Sequence, residues 1–156
     1  MKDLFVLLFK KKKLTKSLVA LFQKDAKTFG GVYNGLYSIS EGKQKSFKAL
    51  DEFHQRLSYL EGYEALKKTV DVFYPANEHS PKRLQEFAII IMNAVKEANI
   101  MHSCKDEIIV LSDSNVLHYN ELGNEELYVD DSVQVAIPAW SQGELLLEKG
   151  FCNLKK

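Results

Sequence analysis

Residues 81–101 place the tightest constraint on what this chain folds into. Ser80 followed by Pro81 is an N-cap with proline at the first helical position, where a missing N–H loses nothing. The apolar spacing then predicts a helix from Pro81 to about Met101. Leu84, Phe87, Ala88, Ile91, Val95 and Ala98 form its main stripe, and Ile89, Ile90 and Met92 widen it until little polar face remains mid-helix. Such a helix must be covered on nearly all sides. A chain of 156 residues, one domain with at most a small satellite, has few layers available to do so. Pairing between two copies is the economical solution. The expectation is a homodimer built on residues 14–101, with Leu57, Leu60, Phe87, Ile91 and Val95 at the dimer contact.

Two further helices are expected upstream. Leu14, Leu18, Phe22, Ala26, Phe29, Tyr33 and Leu36 recur in steps of three and four, with Thr15 as a cap near the start. Gly30 and Gly31 would each cost about 1 kcal/mol inside a helix. Because the periodicity runs through them, one kinked helix ending near Ser40-Glu41-Gly42 is favoured over a break. A second helix is read from Ser46 to Tyr74 on Phe47, Leu50, Phe53, Leu57, Leu60, Tyr63, Leu66, Val70 and Phe73. Their narrow spacing suits helices packed side by side. Pro75 ends it, and Ala76–Ser80 reads as a loop.

After His102 the texture changes. Ile108–Leu111 reads as a short buried strand, and Asp113-Ser114-Asn115 and Gly123-Asn124 are turn material. Ser132–Ile137 alternates apolar and polar residues up to Pro138, and Leu145–Asn153 reads as a returning strand after the Gln142-Gly143 turn. The fold class is therefore α+β. A basic and apolar segment (1–13) and a helical dimerisation region (14–102) precede a small β domain of three or four strands (103–156).

Charge is balanced overall, 21 basic against 21 acidic residues, but it is not evenly spread. Residues 1–30 hold eight lysines against two acids, and 105–131 hold one lysine against eight acids. Zero net charge argues against a dedicated nucleic-acid binder, and the acidic stretch suits a basic protein partner. In Met1–Lys13 the lysines follow the apolar run, the reverse of a secretory signal. A cytoplasmic location is expected from that order. An interfacial membrane anchor through Phe5, Leu8 and Phe9 is the secondary reading, against a frayed or self-associating segment as the plain one. Cys104 and Cys152 lack paired spacing, so free thiols are expected. His102, Cys104 and Asp106 would share a face only on a strand, and no second cluster completes a zinc site.

No local motif of catalysis is present: no phosphate loop, nucleophile elbow or HExxH. Asp130 and Asp131 would point to opposite faces of a strand. His54, between Phe53 and Leu57, reads as a partly buried structural side chain. No catalytic residue, cofactor or metal site is assigned.

The C-terminal third resembles GrpE, the nucleotide exchange factor family of DnaK-type chaperones. The resemblance lies in the turn and histidine Asp113–His118, the acidic stretch Glu121–Asp131, the strand Val133–Pro138 entering an aromatic turn at Ala139-Trp140, and the closing strand Leu145–Leu154. Ala139-Trp140 stands where the family has glycine-aromatic. Tyr119-Asn120 and Glu148-Lys149-Gly150 also depart from its pattern, and the helical region is shorter. The resemblance implies a non-enzymatic dimer whose β domain binds the nucleotide-binding domain of a DnaK-like chaperone and promotes ADP release. Pro138, Ala139 and Trp140 are the exposed contact candidates it suggests, rimmed by Gln142, Glu144 and Lys149. Burial of Trp140 in the β domain is the competing reading. The alternative function is a homo-oligomeric scaffold or adaptor, peripherally membrane-associated through Met1–Lys13, and a small enzyme with a composite site is a third.

Overall fold

The computed structural model describes residues 2–44, 47–75 and 80–155, with residues 2–9 described as backbone only. Among the described residues, five helices occupy the N-terminal half and seven short strands in two sheets follow, an α+β chain. It divides into two compact units, the first ending at Asn99 and the second beginning at Ile100. That division falls a few residues before the one expected at Ser103. The starting residue expected for the second helix, Ser46, and residues 76–79 of the expected loop lie outside the described residues, as do the side chains of the apolar run Leu4–Phe9.

In the helical unit, α1 spans Lys2–Asp25 and α2 spans Tyr33–Ser40. The helix expected to run through Gly30-Gly31 breaks there instead. A single 3-10 turn (Ala26–Phe29) follows α1, and Gly31 takes a left-handed conformation (φ 93°) that side chains with a Cβ rarely adopt. The carbonyls left unpaired by the break find donors elsewhere. The Arg56 guanidinium donates to the carbonyls of Thr28 (2.9 Å) and Gly30, and the Tyr33 hydroxyl donates to that of Ala26 at 2.6 Å. Periodicity alone does not register such a break, because α2 resumes on the same apolar phase.

The second expected helix is also two helices, α3 (Lys48–Tyr59) and α4 (Glu64–Phe73). Between them Gly62 adopts φ 89°. Lys67 donates to the carbonyls of Leu60 (2.5 Å) and Ser58 (3.2 Å), capping the end of α3. The Tyr63 hydroxyl donates to Asp25 at 2.5 Å and ties the start of α4 to the end of α1. That bond pushes the phenol up to about 12.

Helix α5 runs Pro81–Glu97, and Asn99 in the left-handed region (φ 64°) stops it short of Met101. It packs against both α1 and α2. Leu84, Phe87, Ala88, Ile90, Ile91, Ala94 and Val95 are buried within one chain, while Ile89 remains 39% exposed. Rings from five segments close the core: Phe22 meets Phe29 edge-on at 5.4 Å, Phe29 lies 5.2 Å from Phe53, and Tyr74 stacks on Phe87 at 5.3 Å. The reason for expecting a second copy over α5 is thereby removed. Breaking two long helices into four creates the extra layers that three helices lacked. Leu57, Phe87, Ile91 and Val95 are core residues of the monomer, and Leu60 is half-buried at the α3–α4 turn.

In the β unit, β1 (Met101–His102), β5 (Trp140–Gln142) and β6 (Leu145–Glu148) form an antiparallel sheet in the order β1-β5-β6. The other sheet comprises β2 (Ile108–Val110), β3 (Tyr119–Glu121), β4 (Ser132–Ile137) and β7 (Gly150–Leu154), ordered β2-β4-β7-β3. Only β3 and β7 pair in parallel within it. The alternation predicted for Ser132–Ile137 places Val133 and Val135 in the core with Leu111, Tyr119, Ala139 and Cys152. The single returning strand is split at Lys149-Gly150. A Cβ at Gly150 would sit 2.5 Å from the Ile137 carbonyl oxygen and 2.6 Å from the Ala139 nitrogen, so only glycine lets the two strands cross there.

Candidate functional site

The residues that carry the family resemblance fall within the β unit. Asp113–His118 forms a tight turn followed by a 3-10 turn (Val116–His118). The Asn115 side-chain oxygen accepts from the Ser112 N–H at 2.7 Å. Tyr119 follows on β3, buried, with its hydroxyl hydrogen-bonded to Ser103. The acidic stretch Glu121–Asp131 is held by its own carboxylates. Glu121 accepts from the N–H groups of Gly123 (2.6 Å) and Glu125 (3.0 Å), and Asp131 accepts from that of Tyr128 at 2.9 Å. The Tyr128 hydroxyl bonds to Glu126, which raises its pKa above the ordinary phenol value.

These elements bound an open groove of ≈ 380 Å³ whose lining combines apolar residues, Val116, Leu117 and Leu127, with the acids Glu121, Glu125 and Glu126. Lys149 is the lone base among the residues that line it. Leu117 is 79% exposed beside it, so the groove offers apolar surface as well as charge. Sequence reading recognised the acidic stretch. It did not see that the 3-10 turn before β3 brings Val116 and Leu117 to the same groove, nor that Lys149, just before the strand β7 that pairs with β3, joins them.

Among the contact candidates at the other sheet, Trp140 is 2% exposed and Ala139 5%, and Pro138 is buried too. The expectation of an exposed aromatic anchor is corrected accordingly. Trp140 stacks on His102 across the β1–β5 pair, ring centres 4.1 Å apart, and holds the small sheet together. Gln142 is half-buried at the start of the hairpin, and Glu144 and Lys149 are exposed. The hairpin between β5 and β6 turns at Gly143-Glu144 with Gln142 paired to Leu145.

The other groups weighed in the sequence take these places. His102 is on β1, but Cys104 to Glu107 is a turn in which the Cys104 N–H meets the Glu107 carboxylate at 2.8 Å. His102, Cys104 and Asp106 therefore do not share a strand face, and no group of three potential metal ligands occurs among the described residues. Asp130 and Asp131 lie in the turn before β4, with Asp130 at φ 75°, rather than on a strand. Cys152 is buried in the sheet and burial pushes its thiol up, which makes it a poor nucleophile. His54 is partly buried as expected, stacked on Tyr74 with Nδ1 3.9 Å from Asp71, and its Nε2 has no hydrogen-bond partner among the described residues. Burial lowers its pKa below the ordinary histidine value, against the opposing pull of Asp71. No helix among the described residues is long and apolar enough to cross a membrane. The α+β arrangement defines the class of protein as far as architecture goes. Comparison with models of protein families, with curated proteins and with solved structures finds no match.

Proposed function

We propose that this chain is a non-enzymatic protein-binding factor that acts as a nucleotide exchange factor for a DnaK-like chaperone, with its β unit as the partner-facing part. The observation that supports this reading is the arrangement of the C-terminal third. The Asp113–His118 turn, the acidic stretch, the strand β4 entering Ala139-Trp140 and the closing strand β7 follow one another in one small two-sheet unit behind a helical one. Those are the segments, in the order, on which the resemblance to that family rests. Trp140 serves this reading as the internal support of the β5–β6 hairpin, and Gln142, Glu144 and Lys149 are the residues left to meet a partner.

An exchange factor works by binding the open, ADP-releasing form of its partner more tightly than the closed form, since only differential affinity shifts such an equilibrium. The test is release of a fluorescent ADP analogue from a DnaK-like protein of the same genome. The wild type should accelerate release. Joint replacement Glu144→Lys and Lys149→Glu should weaken binding by roughly 1 kcal/mol, the scale of rim charges, with circular dichroism unchanged. Absence of binding at micromolar concentration would end this reading in favour of the scaffold or adaptor alternative.

A further inference from the structure

The two units carry equal and opposite charge. The helical unit, residues 1–99, holds seventeen Lys and Arg against eleven Asp and Glu, a formal +6. The β unit, residues 100–156, holds four against ten, a formal −6. The segregation is sharper locally. Between Asp3 and Asp25 helix α1 has no acid, and Lys10, Lys11, Lys12, Lys13, Lys16 and Lys24 are all exposed on it. Between Lys105 and Lys149 the β unit has no base, and this is the stretch that supplies the acids of the groove.

We infer that the groove bounded by Val116, Leu117, Leu127, Glu125 and Glu126 receives the lysine face of α1 from a second copy of this chain. The chemistry of lysine fits it. The aliphatic stem lies on apolar surface while the ammonium reaches a carboxylate at the edge. Lys12 and Lys16, four residues apart, are neighbours on one helix face and present two such side chains about 6 Å apart. An external polycation is a worse match for the whole molecule. The −6 unit would draw it in while the +6 unit repelled it, whereas a second copy complements both signs at once. Each copy carries both the helix and the groove, so a pair of copies offers the contact twice, as a two-fold pair requires. It uses none of the buried residues of α5, and it shares only Lys149, at the groove, with the residues proposed to meet a chaperone partner.

Sedimentation velocity of the full chain tests this. At about 50 μM chain and about 0.05 M salt, where charges are screened only beyond ~14 Å, the wild type should sediment as a dimer. At about 0.5 M salt the association should weaken at least tenfold. The variant Glu125→Lys with Glu126→Lys places lysines against lysines, and Lys12→Glu with Lys16→Glu places acids against acids. Each alone should be monomeric with native circular dichroism. Their equimolar mixture restores both contacts, one with its native signs and one with signs exchanged, and it should sediment as a heterodimer. A monomeric wild type at low salt overturns the inference, and so does a dimer that survives both high salt and charge reversal. If the mixture stays monomeric, the complementarity is wrong. A monomeric wild type that nevertheless binds polylysine would assign the groove to an external basic partner instead.

Discussion

The helical unit and the β unit are built on opposite plans. The helical unit is held from inside. Leu14, Leu18, Leu21, Phe22, Phe29, Phe53, Ile91 and Ala94 are fully or almost fully buried, and its broken helices are closed by side chains that reach unpaired carbonyls. In the β unit a cluster of six buried residues serves the larger sheet, while Trp140 stacked on His102 secures the smaller one. Much of its surface order comes from carboxylates binding backbone N–H groups around the acidic stretch. A large core spreads its stability over many contacts, whereas a small one concentrates it in a few. The difference teaches where charge can be spent on a partner. The helical unit keeps its α1 lysines on the exposed surface of a helix anchored by leucines, and the β unit keeps all its acids but Glu121 and Glu148 in turns and loops rather than in strands.

The largest expected effect breaks the helical plan. Ile91 is 0% exposed at the contact of α5 with its neighbours, so Ile91→Asp buries an unpaired carboxylate and should cost on the order of 5 kcal/mol. Far-UV circular dichroism should report loss of helix. A folded variant that merely becomes monomeric would return Ile91 to a dimer contact and restore the reading that the monomeric core displaced.

Trp140→Ala breaks the β plan. Removing the largest buried side chain of the small sheet should cost about 3–4 kcal/mol, which amide exchange at β1, β5 and β6 would register as lost protection. A variant with native exchange that has lost partner binding would show instead that the ring acts at the surface.

The smallest effect sharpens the comparison through pH. Burial lowers the His54 pKa in the folded chain, so unfolding takes up a proton in the window below the unfolded value of about 6.5. The corresponding stability is fully present above about 6.5 and is lost as pH falls toward the lower folded value. The thermal midpoint should therefore drop by about 4 °C or less between pH 7 and 5 from this group, and His54→Gln should flatten that part of the profile. An identical slope in the variant would place the proton uptake elsewhere.

Much of the β unit was legible because strand signals there are local. The alternation of Ser132–Ile137 and the turn at Asp113-Ser114-Asn115 depend on neighbours in the chain, and both appear in the fold. The breaks at Gly31 and Gly62 were not legible. Each resumes on a compatible apolar phase, and each is completed by Arg56 or Lys67, which the chain brings back from 26 and seven residues away. The burial of Trp140 was open for the same reason. An aromatic beside a turn is equally consistent with an interface anchor and with a core, and the stacking on His102, 38 positions earlier, decides it.

By itself the sequence determined the order of helices before strands, the signs of charge along the chain and the start of α5 at Ser80-Pro81. Each is set by residues within one or two turns of one another, where propensity, capping and periodicity act. The tertiary structure alone decided that α5 is covered within one chain, that Trp140 points inward and that Val116, Leu117 and the acids of the next turn line one groove. The first two depend on which distant segments become neighbours, the third on the path of the chain through β3 and on Lys149 reaching it from before β7, and the free energy of burial is a property of that neighbourhood rather than of the residue.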